Sequence, residues 1–206
     1  AFIALISLVQ VLCLREYFAL VKKITPEVYW PSWLPITVQL ISLLWLLLET
    51  PLLNGVRFSQ LLMFVPVLIL LLTTLHKKTA LQAGIQSLAG MAYIVLPMIL
   101  LYSLRMQSIV LPLSLVLMLW MNDTMAYIVG SFIGKTPFSP ISPKKTWEGT
   151  IGGAVLTLGG AAIWGYYSPY YSMQDWMALA LCASVAGTAG DLFESKLKRL
   201  ADVKDS

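Results

Sequence analysis

The sequence predicts an all-α fold: a polytopic bundle of transmembrane helices with about seven spans in this chain. Three observations carry that prediction. The chain has 206 residues, of which 58% are hydrophobic and only 12% charged, where soluble domains carry about 25% charged residues. Its apolar runs approach the ~20 residues that an α-helix needs to cross a bilayer, which a soluble core does not require. Its basic residues also alternate between successive connections. Helices are the expected element because lipid offers no partners for unpaired backbone groups, and the runs are too long for barrel strands.

In order, the expected spans are residues 1–14, 35–53, 58–75, 84–102, 109–130, 150–168 and 175–195. Pro66, Pro97 and Pro112 lie inside spans or near their ends, where kinks are tolerated. Trp30, Trp33, Trp147, Tyr166, Tyr167, Tyr170, Tyr171 and Trp176 sit near the predicted ends, as interfacial anchors do. The connections after spans one, three, five and seven carry Arg15, Lys22, Lys23, Lys77, Lys78, Lys135, Lys144, Lys145, Lys196, Lys198, Arg199 and Lys204. The other connections carry only Arg57 and Arg105. The positive-inside bias then makes the basic side cytoplasmic and puts the 131–149 loop and the 196–206 tail on one face. Cys13 and Cys182 lie in apolar runs without metal-type spacing and read as reduced packing residues. No secretory leader pattern is visible. The chain opens inside an apolar run without an initiator Met, so a piece of a longer protein is expected. Residues 1–206 read as one integral-membrane domain, with no internal repeat.

The residues that carry chemistry cluster in two places. Asp123, beside Asn122 and Thr124 at the end of span five, is an expensive group beside a bilayer. Two readings fit it: a wetted helix-end carboxylate, paired with a nearby Lys or not, or a ligand for a hard cation such as Mg²⁺, which takes one or two carboxylates plus substrate phosphates. Asp191, in the segment GTAGDLFESKLKR near the end of span seven, is a second acid on the same side. Glu194 follows at i+3 and fits an ordinary i,i+4 pair with Lys198. Lys144, Lys145, Ser142 and Thr146 suit a phosphate-binding loop. Pro140 and Pro143 stiffen it, and Thr146 with Glu148 is placed to start the next helix, whose N-terminal amides favour an anion. Plain attraction to lipid headgroups explains the same lysines. There is no Walker-type glycine loop. His76 is read as an interface residue without a role.

Taken together, these residues resemble the phosphatidate cytidylyltransferase (CDP-diglyceride synthetase) family. The first motif runs from Asp123-Thr124-x-Ala126-Tyr127 through Gly130 and Gly134-Lys135 to Ser142-Pro143-x-Lys145-Thr146-Trp147-Glu148-Gly149. The second is Gly190-Asp191-Leu192-x-Glu194-Ser195, continuing through Leu197-Lys198-Arg199 to Lys204-Asp205-Ser206. The resemblance is strong over 120–206, which carries most of the catalytic motifs, and otherwise rests on hydrophobic helices and Arg15-Glu16. Met125 stands where the family usually has a small residue. The family signature runs on past Ser206 into a Gly- and His-containing segment, an acidic cluster and a last span, and the family has one further span before the first here.

The resemblance implies an enzyme of phospholipid synthesis that joins CTP and phosphatidic acid to give CDP-diacylglycerol and pyrophosphate with Mg²⁺. It gives Asp191, Asp123 and Lys145 catalytic roles and makes Asp123, Asp191 and Asp205 metal ligands, with Asp202 a weaker candidate. Ser142, Lys144, Thr146 and Ser195 would bind substrate, and Lys198, Arg199 and Lys204 would hold lipid phosphate or pyrophosphate. It also implies membrane-lipid partners, a homodimer, no nucleic acid, and a bacterial inner membrane with the active-site loops cytoplasmic. Two other readings are weighed against it. One is a CTP-dependent lipid kinase of the dolichol-kinase type. The other is a transporter or channel using Asp123 and Asp191, which the gathering of charge at one face and the lack of an inverted repeat disfavour.

Overall fold

The computed structural model describes residues 1–48, 65–76 and 80–203, and these form two compact units, Ala1–Ser108 and Ile109–Ser206. Among the described residues, the long apolar runs become helix. In the first unit α1 spans Phe2–Ile24, α2 Trp33–Leu48, α3 Val65–His76 and α4 Ala80–Gly90. A π-helical turn at Met91–Val95 joins α4 to α5, Leu96–Gln107. Pro97 explains that turn: it has no N–H to give the preceding turn, so the hydrogen-bond ladder widens ahead of it. The N–H of Leu96 bonds to the Met91 carbonyl. Tyr17 donates its hydroxyl to the Gln86 carbonyl at 2.9 Å, tying α1 to α4.

The second unit contains α6 (Val110–Ile133), a two-stranded antiparallel hairpin of β1 (Pro137–Ser139) and β2 (Ser142–Thr146), then α7 (Trp147–Tyr167) and α8 (Met173–Leu200). The three helices pack on one another. At the α7–α8 turn, the Ser172 hydroxyl accepts from the Asp175 amide and the Asp175 carboxylate accepts from the Ser172 amide, a reciprocal cap that fixes where α8 starts. Trp176, Ala180, Ala183 and Ala161 are buried between the helices.

The fold is all-α apart from the hairpin, and an apolar helix occupies each of the seven expected places among the described residues. Four of these are long and apolar enough to cross a membrane: Phe2–Ile24, Ala80–Gln107, Val110–Ile133 and Met173–Leu200. Helix α2 is a shorter apolar helix, and the glycines of α7 dilute its hydropathy. Parts of the second and third expected spans, with Arg57, Lys77 and Lys78, lie outside the described residues.

Three boundaries differ from expectation. Helix α1 does not stop near residue 14 but carries Arg15, Lys22 and Lys23 on to Ile24. Lys22 lies 5.5 Å above the Trp30 ring, so the charged turns continue the helix against an aromatic partner. Asp123 is not at a helix end, because α6 runs on to Ile133. The 131–149 segment is not one loop: 131–133 finish α6, 137–146 form the paired hairpin and 147–149 begin α7.

Candidate active site

The site forms where α6 ends, the hairpin turns back and α8 passes. Helix α6 stops at Gly134, whose N–H closes on the Gly130 carbonyl at 3.0 Å while its own backbone turns extended. The hairpin then doubles back, and three contacts fix it to the first turn of α7. The Trp147 amide bonds to the Thr136 carbonyl at 3.0 Å. The Phe138 and Trp147 rings meet edge to face, 4.5 Å apart. The Glu148 carboxylate receives the Thr136 hydroxyl at 2.8 Å and the amides of Lys135 and Thr136 at 3.2 Å. Bonds to the charged form stabilise it. The carboxyl is accordingly lowered from an ordinary 4.5 to about 2, first by its own backbone amide and then by Thr136.

This clamp revises one expectation. The first amides of α7 were expected to wait for an anion, but Thr146 caps the helix by accepting from the Gly149 amide at 3.1 Å. The Thr146 oxygen accepts that hydrogen bond, so its own O–H remains available as a donor.

The seam between α6 and α7 is close because small residues face each other across it. A Cβ on Gly149 would lie 2.6 Å from the Ala126 carbonyl, and one on Gly153 would lie 2.7 Å from that of Asn122. Beside this seam a cavity of about 450 Å³ opens toward α8. From α6 it is lined by Asn122, Asp123, Ala126, Tyr127, Gly130 and Ser131, and from the hairpin by Ser142, Lys144, Lys145 and Thr146. Helix α7 adds Thr150, and α8 adds Thr188 and Asp191. Lys145 forms an ion pair with Asp191 across the cavity. Two segments 46 positions apart in the chain thereby become one site. Asp123 is exposed to the same space and makes no ion pair among the described residues.

Of the residues singled out from sequence, Asp123, Asp191, Ser142, Lys144, Lys145 and Thr146 all line this cavity. Ser195, Lys198 and Arg199 do not; they follow Asp191 along α8 toward its end. Lys198 pairs with Glu194 at 2.7 Å, the i,i+4 contact anticipated for Glu194. Asp202 follows α8 with a positive φ of 54°. Lys204 and Asp205 lie outside the described residues. Sequence reasoning did not place Asn122, Tyr127, Thr150 or Thr188 in the site. Helical spacing held a signal for two of them: Thr150 is one turn after Thr146, and Thr188 is three residues before Asp191 on the same face.

Among the described residues, no three His, Cys, Asp or Glu side chains converge as a metal cage. The carboxylates of Asp123 and Asp191 still offer hard oxygen donors from two helices to one cavity. That donor set fits Mg²⁺, which keeps waters and substrate phosphates as its remaining ligands.

Comparison with known proteins follows the same outline. Over 149 residues, 72% of this chain and 56% of the relative, the sequence is 32% identical to a protein named phosphatidate cytidylyltransferase from Aquifex aeolicus (strain VF5). A protein of that name from Synechocystis sp. is 42% identical over 91 residues, 43% of this chain and 30% of the relative. Another, from Staphylococcus haemolyticus, is 35% identical over 122 residues, 58% of this chain and 46% of the relative. The chain therefore spans about half the length of the relatives it matches, or less. The sequence profile of the Cytidylyltransferase family, by contrast, matches from residue 1 to residue 206. On that full-length match, the chain belongs to the cytidylyltransferase family.

Proposed function

We propose that the protein containing this chain is a phosphatidate cytidylyltransferase, converting CTP and phosphatidic acid to CDP-diacylglycerol and pyrophosphate. The observation that carries the reading is the Lys145–Asp191 pair, with Asp123 in the same cavity of a membrane-embedded helical unit. Cations suited to phosphate and acids suited to a metal stand together there, as nucleotidyl transfer to a lipid phosphate requires. The relatives bearing that name support it.

In this reading an oxygen of the lipid phosphate attacks the α-phosphorus of CTP. The bond from the α-phosphorus to the bridging oxygen breaks, and pyrophosphate leaves with that electron pair. Lys144 and Lys145 draw the triphosphate into the cavity, and the hydroxyls of Ser142 and Thr146 donate to its oxygens. Lys145 exchanges Asp191 for phosphate when the nucleotide arrives. Asp191, then released, and Asp123 would hold Mg²⁺, which when bound neutralises charge on the triphosphate and leaving pyrophosphate. Little base catalysis is needed, because a phosphate monoester is already anionic near neutral pH. Catalysis is then mainly positioning and charge stabilisation. Further along α8, Lys198 and Arg199 would hold the lipid phosphate or pyrophosphate, with the Ser195 hydroxyl also binding substrate. Lys204 and Asp205 extend that assignment on sequence grounds alone.

The basic bias of the connections supports a cytoplasmic site, and the bacterial relatives support the inner membrane. A homodimer rests on the family resemblance alone. The decisive experiment uses the full-length protein in mixed micelles with Mg²⁺, phosphatidic acid and CTP labelled at either the α- or the γ-phosphate. Label from the α-position should enter the lipid. Transfer of γ-label would make the protein a lipid kinase, and transfer of neither would remove the enzymatic reading.

A further inference from the structure

Tyr127 lines the cavity and has no part in the proposed reaction. It stands on α6 one turn after Asp123 and shares the lining with Ser142, Lys144 and Lys145 of the hairpin. Among the described residues it is the only aromatic one in that lining. Tyr127 is 78% exposed, and its side chain makes no hydrogen bond or ring contact among the described residues. The aromatics nearby are used differently: Phe138 and Trp147 pack on each other where the hairpin meets α7. A bare aromatic face gains from being covered by another ring.

The chemistry of the lining points to what would cover it. Its ammonium groups and hydroxyls suit phosphate, its carboxylates suit a metal ion, and none of these holds a flat ring by its face. In a nucleotide and a lipid phosphate, the base alone is a flat ring. Stacking of a base on an aromatic side chain needs no hydrogen-bond pattern, because every base has a π-face. The rise of α6 from Asp123 to Tyr127 is about 6 Å, so a ribose can span from a base on the ring to phosphates beside the acid. The competing use for such a ring is an anchor at the membrane interface. Trp120, seven positions earlier on the same face of α6, is as bare as Tyr127. Trp120, however, does not line the cavity, and Tyr127 does. We propose that Tyr127 is the nucleobase platform of the site: its ring stacks on the base while the lysines hold the triphosphate. Stacking senses a base without reading its identity, so Tyr127 sets affinity for nucleoside triphosphates and leaves the choice among them to other groups. This rests on the cytidylyltransferase reading for the class of ligand.

The test is equilibrium binding of CTP and of inorganic tripolyphosphate, each with Mg²⁺, to the full-length protein in detergent. Wild type is compared with Tyr127→Phe, which keeps the ring, and Tyr127→Leu, which keeps apolar bulk without a π-face. Because the residue is exposed, both variants should fold, and thermal unfolding reports whether they do. Tyr127→Leu should weaken CTP binding about tenfold and leave tripolyphosphate binding unchanged, while Tyr127→Phe should stay within about twofold of wild type for both. A Leu variant that binds CTP as wild type does overturns the proposal and leaves Tyr127 an interfacial anchor. Equal losses in the Phe and Leu variants would make the hydroxyl the contact, and a parallel loss of tripolyphosphate binding would make Tyr127 part of the phosphate site; both also overturn it. A Leu variant that changes only the KM for phosphatidic acid would assign the ring to the lipid and overturn it too. Wild type that binds CTP no more tightly than tripolyphosphate overturns the platform while the transfer assay can still sustain the reaction. Ring-dependent CTP binding without CDP-lipid formation would instead sustain the platform and defeat the proposed reaction.

Discussion

Lys145 and Asp191 neutralise each other across the cavity, and that pairing determines what their substitution should do. In the proposed reaction, Lys145→Ala would remove a phosphate ligand and leave a carboxylate facing the nucleotide. Asp191→Asn would remove a proposed metal ligand and leave Lys145 without its ion-pair partner. Each should lower CDP-lipid formation more than about tenfold in folded protein, and the double variant should lose less than the product of the two. Near-normal rates in either single variant would take that residue out of the site. Glu148 invites a different measurement. Its carboxyl is lowered from 4.5 to about 2 in the folded chain, so it stabilises the folded state fully above pH 4.5. That contribution is lost as pH falls through the window from 4.5 to 2. The thermal midpoint of Glu148→Gln should therefore sit below that of wild type near neutral pH, and the gap should narrow steadily across the window. A gap independent of pH would show that Glu148 does not hold the hairpin through its charge.

At the level of elements, the site depends on how closely α6 can approach α7. Without a hydrophobic force between helices in lipid, small residues let backbones approach and gain packing. Gly153 serves that purpose: a Cβ there would lie 2.7 Å from the Asn122 carbonyl and 2.9 Å from the Ala126 amide nitrogen, both backbone atoms that cannot swing aside. Gly153→Leu should cost about 1–3 kcal/mol by overpacking. It should also reduce activity, because displacing α6 moves Asp123 relative to Lys145. Gly153→Ala should show a smaller effect of the same kind in detergent unfolding and turnover. A Leu variant with wild-type stability and turnover would show that the seam tolerates separation.

For the molecule as a whole, the alternating basic connections make a sidedness prediction. In a background where Cys13 and Cys182 are replaced by Ser, Pro140→Cys in the hairpin turn should react with an impermeant thiol reagent only from the cytoplasmic side. Tyr170→Cys, in the turn between α7 and α8, should react only from the opposite side. The reverse pattern would invert the topology and move the proposed nucleotide site away from the cytoplasm. Much of this scale was legible in the chain, because membrane burial is written in composition and run length: lipid leaves the backbone no partners but its own. Expected spans and observed helices agree in place throughout the described residues, though the helix ends differ. Arg15, Lys22 and Lys23 were expected to end α1, yet long basic side chains extend toward water from a continuing helix.

The sequence by itself determined that this chain is a bundle of apolar helices and that Asp123, Ser142, Lys145, Thr146 and Asp191 are the polar residues to watch, with Asp123 costly beside a bilayer. Both follow from local chemistry, since hydropathy acts over one helix length and a charge beside lipid is conspicuous wherever it falls. Only the tertiary structure decided what those residues face. The Lys145–Asp191 pair joins positions far apart in the chain, and the hairpin that aims Lys145 depends on Glu148 reaching back to Lys135 and Thr136. Asn122 shows the limit most plainly. In the sequence it is a polar neighbour of Asp123; in the fold it is a buried amide in the lining of the cavity. Whether a carboxamide is wetted, paired or enclosed depends on the atoms packed around it, and neighbours in sequence do not supply them.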